Sequence, residues 1–154
     1  MRAEFQVLAI PFIRETNGSA KFVVFRRSDD GCWQFIAGGG EDSEAPLEAT
    51  KREAKEEAGL ESDRFYGLKT VSMIPIDVFR EHRNKKNLYV IPEHCFAVEI
   101  EHGNITISKE HSECKILNYE EAFRLLKYDG NKTALWELNE KLKSGKLPSK
   151  IYSK

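Results

Sequence analysis

Apolar and polar positions alternate loosely from Phe5 to Ile13, which predicts a strand, with Pro11 inside it pointing to an edge or a bulge. Asn17-Gly18, within the turn Glu15 to Ala20, is a strong hairpin signal, and Lys21 to Arg27 reads as the returning strand. Asp29-Asp30-Gly31 makes another turn before a short extended stretch from Trp33 to Ala37. Phe65 to Arg80 reads as one long strand or a bent pair broken at Pro75, and Glu81 to Asn87 as a polar, basic loop. Leu88 to Ile100 is a further strand entered through Pro92, His102-Gly103-Asn104 a turn, and Ile105-Thr106-Ile107 and Lys115 to Leu117 extended pieces. Asn118 suits the cap of a short helix from Tyr119 to Lys127. Asp129-Gly130-Asn131 then separates it from a last helix, Lys132 to Ser144, striped by Leu135, Leu138 and Leu142. The order strands, helix, strands, helices fits an α/β or α+β layered domain and departs from simple βαβ alternation.

Residues 38–60, GGGEDSEAPLEATKREAKEEAGL, predict a third helix with unusual content. At about 100° per residue, Glu53, Glu56 and Glu57 share one arc together with Ala49. Leu47, Ala54 and Ala58 form a separate small apolar stripe that can rest on a sheet. Asp42 and Ser43 are candidate caps, Pro46 suits the first turn, and Gly59 a left-handed end with Leu60 folding back. Like charges at helical spacing repel by a few tenths of a kcal/mol per pair, so the arrangement calls for a cation. Oxygen ligands with neither His nor Cys among them favour Mg²⁺ over zinc, and Mn²⁺ can substitute. Arg52 can hold a carboxylate rotamer by paired hydrogen bonds. Gly38, Gly39 and Gly40 let backbone groups approach a metal or phosphate closely.

This segment resembles the Nudix box, G-x5-E-x7-R-E-U-x-E-E-x-G-U, with U apolar. Gly38, Glu44, Arg52, Glu53, Glu56, Glu57, Gly59 and Leu60 all match, and Ala54 takes the first U position. The resemblance implies an α/β/α sandwich around a mixed β-sheet, spanning residues 1–154 as one domain. It also implies Mg²⁺-dependent hydrolysis of a nucleoside diphosphate linked to another group. By the same resemblance Glu56 and Glu57 bind metal, Glu53 is a ligand or the base, and Glu44 and Arg52 support the site. Gly38 joins the metal group through its backbone.

Two later stretches, Lys109-Glu110-His111-Ser112-Glu113 and Asn131-Lys132-Thr133-Ala134-Leu135, resemble the dihydroneopterin triphosphate or dATP pyrophosphohydrolases. That subgroup implies Glu110 as a fourth acid, a metal ligand or water activator, with Glu113 its rival. It further implies a nucleoside or pterin triphosphate as substrate, cleaved to a monophosphate and pyrophosphate. The sequence leaves two other readings open: a hydrolase of dinucleoside polyphosphates or nucleotide sugars, and a nucleotide sensor without turnover.

A chain of 154 residues with 32% charged residues of mixed sign and a net charge of −1 gives no reason to expect nucleic-acid or membrane attraction. No apolar run approaches the ~20 residues of a membrane span, and no signal segment follows Met1. Cys32, Cys95 and Cys114, scattered and odd in number, read as reduced thiols of a cytoplasmic protein. The oligomeric state stays open, a homodimer included.

Among the basic residues Arg26, Arg27, Arg80, Arg83, Lys85 and Lys86, Arg27 has the best claim on phosphate, because it ends a strand leading toward the box. Trp33 and Phe35 head the candidates for stacking on the substrate's ring, with Phe79 and Tyr89 beside them, although strand aromatics more often fill cores. His111 reads as a loop stabiliser before a phosphate ligand.

Overall fold

The computed structural model describes residues 1–101 and 105–147. Seven strands and three α-helices follow one another among them: β1 (Arg2–Arg14), β2 (Ala20–Arg27), β3 (Trp33–Gln34), β4 (Ile36–Glu41), α1 (Pro46–Ala58), β5 (Phe65–Pro75), β6 (Val90–Glu99), β7 (His111–Leu117), α2 (Tyr119–Leu125) and α3 (Asp129–Lys143). The strands form one mixed sheet in the order β3-β2-β1-β6-β5, with β4 added on β1 and β7 on β2. β1 and β6 run parallel, and the other pairs are antiparallel.

Pro11 lies in the middle of this sheet, not on the edge its sequence suggested. Along one side of β1 the β4 partnership ends at Ala9↔Ile36 and the β2 partnership begins at Phe12↔Phe22. The Phe12 carbonyl faces β6, accepting from Ile100, so the neighbouring Pro11 faces the side where the partner changes. A residue without an N–H fits that gap at no cost in ladder hydrogen bonds.

Two apolar layers make the sandwich. Leu8, Ile10, Phe12, Phe22 and Phe35 meet Ala134, Leu135 and Leu138 of α3 on one face. Ala9, Val23, Phe25 and Ile36 meet Ala54 and Ala58 of α1 on the other. Small residues on α1 bring its axis close to the sheet, and Ala49, on the arc of the helix acids, is fully buried against Val7 and Phe96.

Three elements differ from their sequence reading. β5 stops at Pro75, and single turns of 3-10 helix, Ile76–Val78 and Arg80–His82, replace the strand's expected continuation. Asp129, Gly130 and Asn131 form the first turn of α3. Ile105 to Ile107 is not a strand: Thr106 N–H donates to Ala58 and Ser108 N–H to Glu57, so the segment satisfies carbonyls at the end of α1. The turn expected at 102–104 lies outside the described residues, as do residues 148–154.

Glu137 joins α3 to the sheet. The β5–β6 register slips between Gly67 and Val71, leaving Lys69 and Thr70 in the irregularity. Their N–H groups donate to the Glu137 carboxylate at 2.7 and 2.9 Å, the Thr70 hydroxyl at 2.6 Å, and Lys141 Nζ at 2.7 Å. Burial alone would raise this carboxyl, but Lys141 and the three donors of Lys69 and Thr70 outweigh it and pull it down to about 2. The folded value lies below the ordinary 4.5, so its stabilisation is complete above that pH and is lost as pH falls from 4.5 toward 2. Glu137→Ala is expected to lower stability by about 2 kcal/mol at pH 7. The gap between variant and parent should narrow in denaturant titrations at pH 3; a gap of equal size at both values would count against this role.

Candidate active site

The site starts from a bare backbone. Gly38 of β4 pairs with Val7 on the face covered by α1, and a Cβ placed on Gly38 would overlap the Glu53 carboxyl. Glycine here makes room for an acid. Helix α1 is started by Ala45, whose N–H donates to Glu48 at 2.7 Å; Asp42 and Ser43, the expected caps, stand too early. Pro46 occupies the first turn, Gly59 takes φ 65°, and Leu60 N–H returns to Ala54, as the sequence predicts.

The three helix acids divide into two environments. Glu53 and Glu57 are buried, whereas Glu56 is exposed. Burial raises both buried carboxyls above the usual range, and their proximity raises Glu57 further. Glu57 Oε1 has no hydrogen-bond partner among the described residues, and its neighbour His111 Nε2 lies at 3.8 Å.

Arg52 is the organiser. Its Nε and Nη2 fork onto Glu44 at 2.6 and 2.9 Å, Nη2 also reaches the Gly39 carbonyl at 2.9 Å, and Nη1 reaches Glu53 at 2.9 Å and Glu56 at 3.4 Å. Glu44 also accepts the Glu41 N–H, and the Arg52 guanidinium holds its carboxyl below the usual range. Arg52, expected to support the site, does so by positioning: it ties the glycine strand, the loop and two helix acids together.

The loop after residue 104 brings Glu110 to this group. Ser28 N–H donates to the Glu110 carbonyl and the Ser28 hydroxyl to Lys109, pinning the loop to the end of β2. The charge of exposed Glu110 adds to the upward push on Glu57. Glu113 pairs with Arg26 at 3.7 Å instead. His111 is buried, tilted against Phe25 at 5.2 Å between ring centres, and burial lowers its pKa. A neutral imidazole packed between core and acid agrees with a structural role.

On the α3 face of the sheet a cleft of about 550 Å³ runs from Tyr128 and the first turn of α3 to the end of β5. Ala37, whose backbone N–H offsets part of the upward push on Glu57, lines this cleft and so links it to the acids. Arg27 stands at its margin with its guanidinium already forked onto Asp29 at 2.9 and 2.5 Å. Of the aromatic candidates only Phe79 lines the cleft. Phe35 has no exposed surface, because its side chain points into the layer under α3, and cannot stack on a ligand. Trp33 packs against the same layer with Lys115 Nζ 5.2 Å over its ring, and Tyr89 is exposed. The sequence reading missed Gln6, Gln34 and Glu93, which form the polar floor; only their alternation with core residues along β1 and β6 marked that face.

The donors suit a hard divalent cation. Glu53 and Glu57 offer carboxylate oxygens, one of them orphaned, with Gly38 clearing space beside them. Among the described residues no three His, Cys, Asp or Glu side chains form a ready cage.

A mixed sheet between helices, with buried acids of one helix set against a glycine strand, defines the class of protein. A family model described as the NUDIX domain matches residues 5–137, and the chain belongs to the Nudix family. Its structure resembles that of a NUDIX hydrolase from Listeria monocytogenes, 44% identical, with a TM-score of 0.86 over 96% of this chain and 99% of that one. It also resembles the dihydroneopterin triphosphate pyrophosphohydrolase of E. coli (21% identity, TM-score 0.76, 90% and 97% covered). A third likeness is to an Ap4A hydrolase of C. elegans (16%, 0.68, 92% and 99%). The last two likenesses speak for the fold alone. No protein of curated function matches the chain. Among the described residues no helix is long and apolar enough to cross a membrane.

Proposed function

We propose that this Nudix hydrolase cleaves a phosphoanhydride bond of a nucleoside or pterin triphosphate, with Mg²⁺ or Mn²⁺, releasing pyrophosphate and a monophosphate. The observation that carries the reading is the buried Glu53–Glu57 pair, whose charge has no full compensation in the protein. Bound there, a divalent cation would neutralise phosphate charge and acidify the attacking water. Glu53, Glu57 and the exposed Glu56 hold it, with the Gly38 backbone beside them. Arg52 keeps Glu53 and Glu44 in place. Glu110 takes the proton from water: its carboxylate is exposed at the site, whereas Glu53 is occupied by Arg52. A cleft of about 550 Å³ accommodates one ring and its sugar better than two nucleosides, which favours a compact triphosphate over a dinucleoside polyphosphate. The three free thiols support a reducing, cytoplasmic setting.

The test is pyrophosphate release from dATP, 8-oxo-dGTP, dihydroneopterin triphosphate and diadenosine tetraphosphate, with and without Mg²⁺ or Mn²⁺. Silence across that panel in both metals would leave a binding module. Glu110→Gln is expected to slow turnover by about 10²-fold. Glu113→Gln, which breaks only the pair with Arg26, should stay near the parent rate; a larger loss there than at Glu110 would exchange the two roles.

A further inference from the structure

Glu93 is unexplained by the hydrolytic centre. It lies on β6 opposite Gln6 of β1 and Ser72 of β5, on the face covered by α2 and α3. Cys95 and Ala97, the next residues on that face of β6, are core. An apolar residue at 93 would continue the stripe. Instead a carboxyl stands there, 6% exposed, at the floor of the cleft. Among the described residues no donor is bonded to its carboxylate oxygens, and burial alone pushes it up to about 7. A largely buried acid without a protein partner is costly, and its place in the cleft lining points to a partner that arrives with a ligand.

The surroundings restrict that ligand. Asn131 Oδ1 accepts the Phe35 N–H at 2.9 Å, which leaves its NH₂ as the free part of the amide. Met73, Phe79 and Tyr128 supply apolar walls. Glu93 thus offers a flat ring a double acceptor and Asn131 an amide donor, beside the amides of Gln6 and Gln34.

We propose that Glu93 is a specificity residue that selects rings with a 2-amino-4-oxopyrimidine edge, the edge shared by guanine and pterin. Two adjacent N–H groups of that edge fit the two carboxylate oxygens, and its carbonyl is left for an amide donor such as Asn131. Adenine sets a ring-nitrogen lone pair against the carboxylate beside its one amino group. Uracil and thymine offer a single N–H flanked by carbonyls. The proposal rests on the reading of this cleft as the substrate's ring site and names the class of ring.

Binding of GMP, IMP and AMP by calorimetry in EDTA at pH 8, where the Glu93 carboxyl is ionised, tests it without turnover. GMP should bind about ten- to a hundredfold tighter than AMP, with IMP, which lacks the 2-amino group, between them. Glu93→Gln should remove most of the GMP preference, leave AMP binding equal or tighter, because the amide sets a donor and an acceptor against adenine, and melt no lower than the parent, since it removes a buried charge. Equal or tighter AMP binding by the parent overturns the assignment without any variant. So does an unchanged GMP-to-AMP ratio in Glu93→Gln, or no binding of any monophosphate at millimolar concentration. Pyrophosphate release from GTP and ATP is scored separately. Turnover with no ring preference removes the role of Glu93 and keeps the hydrolase; GMP preference without turnover does the reverse.

Discussion

Glu57→Gln is expected to cut turnover by about 10²- to 10³-fold without lowering the melting temperature of the metal-free protein. The two halves of this result have one cause. Glu57 is buried beside a second buried acid, with one oxygen orphaned and Glu110 adding its charge. Ionised, such a group destabilises the fold unless a cation compensates it. Gln keeps the volume and removes the charge, so the metal-free protein loses nothing or gains. On the proposed mechanism the same change deletes a cation ligand, and with it the charge that would hold the phosphate chain. Added Mg²⁺ should therefore raise the parent's melting temperature and leave that of Glu57→Gln almost unmoved, since a ligand stabilises only by binding the native state. Near-normal rates for the variant at saturating Mg²⁺ would remove Glu57 from the centre. A melting temperature well below the parent's would recast it as an ordinary structural acid.

The box was legible because its chemistry is compressed into one short segment. Spacing along α1 fixes which acids meet, and Pro46 and Gly59 mark its ends. Even there the helix periodicity alone could not separate exposed Glu56 from buried Glu57, because burial is decided by what the sheet and the loop at His111 place opposite. Arg52 was legible as a rotamer holder, yet its links to Glu44 and the Gly39 carbonyl depend on how the strand returns beside the helix. The cleft was the least legible part. Its floor comes from β1, β3 and β6 and its wall from the start of α3 and the end of β5, so no local pattern joins them. Phe35 looked like a stacking ring because an aromatic beside a glycine motif carries no sign of which face it takes. Strand alternation puts it under α3. Pro11 misled for a related reason: a missing N–H signals an edge, and a partner change inside a sheet creates the same vacancy.

Gly38→Ala is expected to reduce turnover by about 10²-fold while changing stability by no more than about 1–2 kcal/mol. The added methyl meets the Glu53 carboxyl, the far end of a side chain with rotatable bonds, so the fold yields there easily. Gly38 does not have a positive φ, so alanine brings no backbone strain of its own. The carboxyl, however, has nowhere equivalent to go. Arg52 Nη1 holds it at 2.9 Å, and moving it breaks that bond and shifts the oxygens beside Glu57. Misplacement of about 1 Å suffices for a loss of this size. Gly40→Ala is the control two residues on: its methyl would strike the Phe5 ring and none of the acids. That variant should lose stability and keep its turnover per folded molecule. If Gly38→Ala keeps its rate while Gly40→Ala loses it, the glycine strand serves packing, and the room beside Glu53 has no part in the reaction.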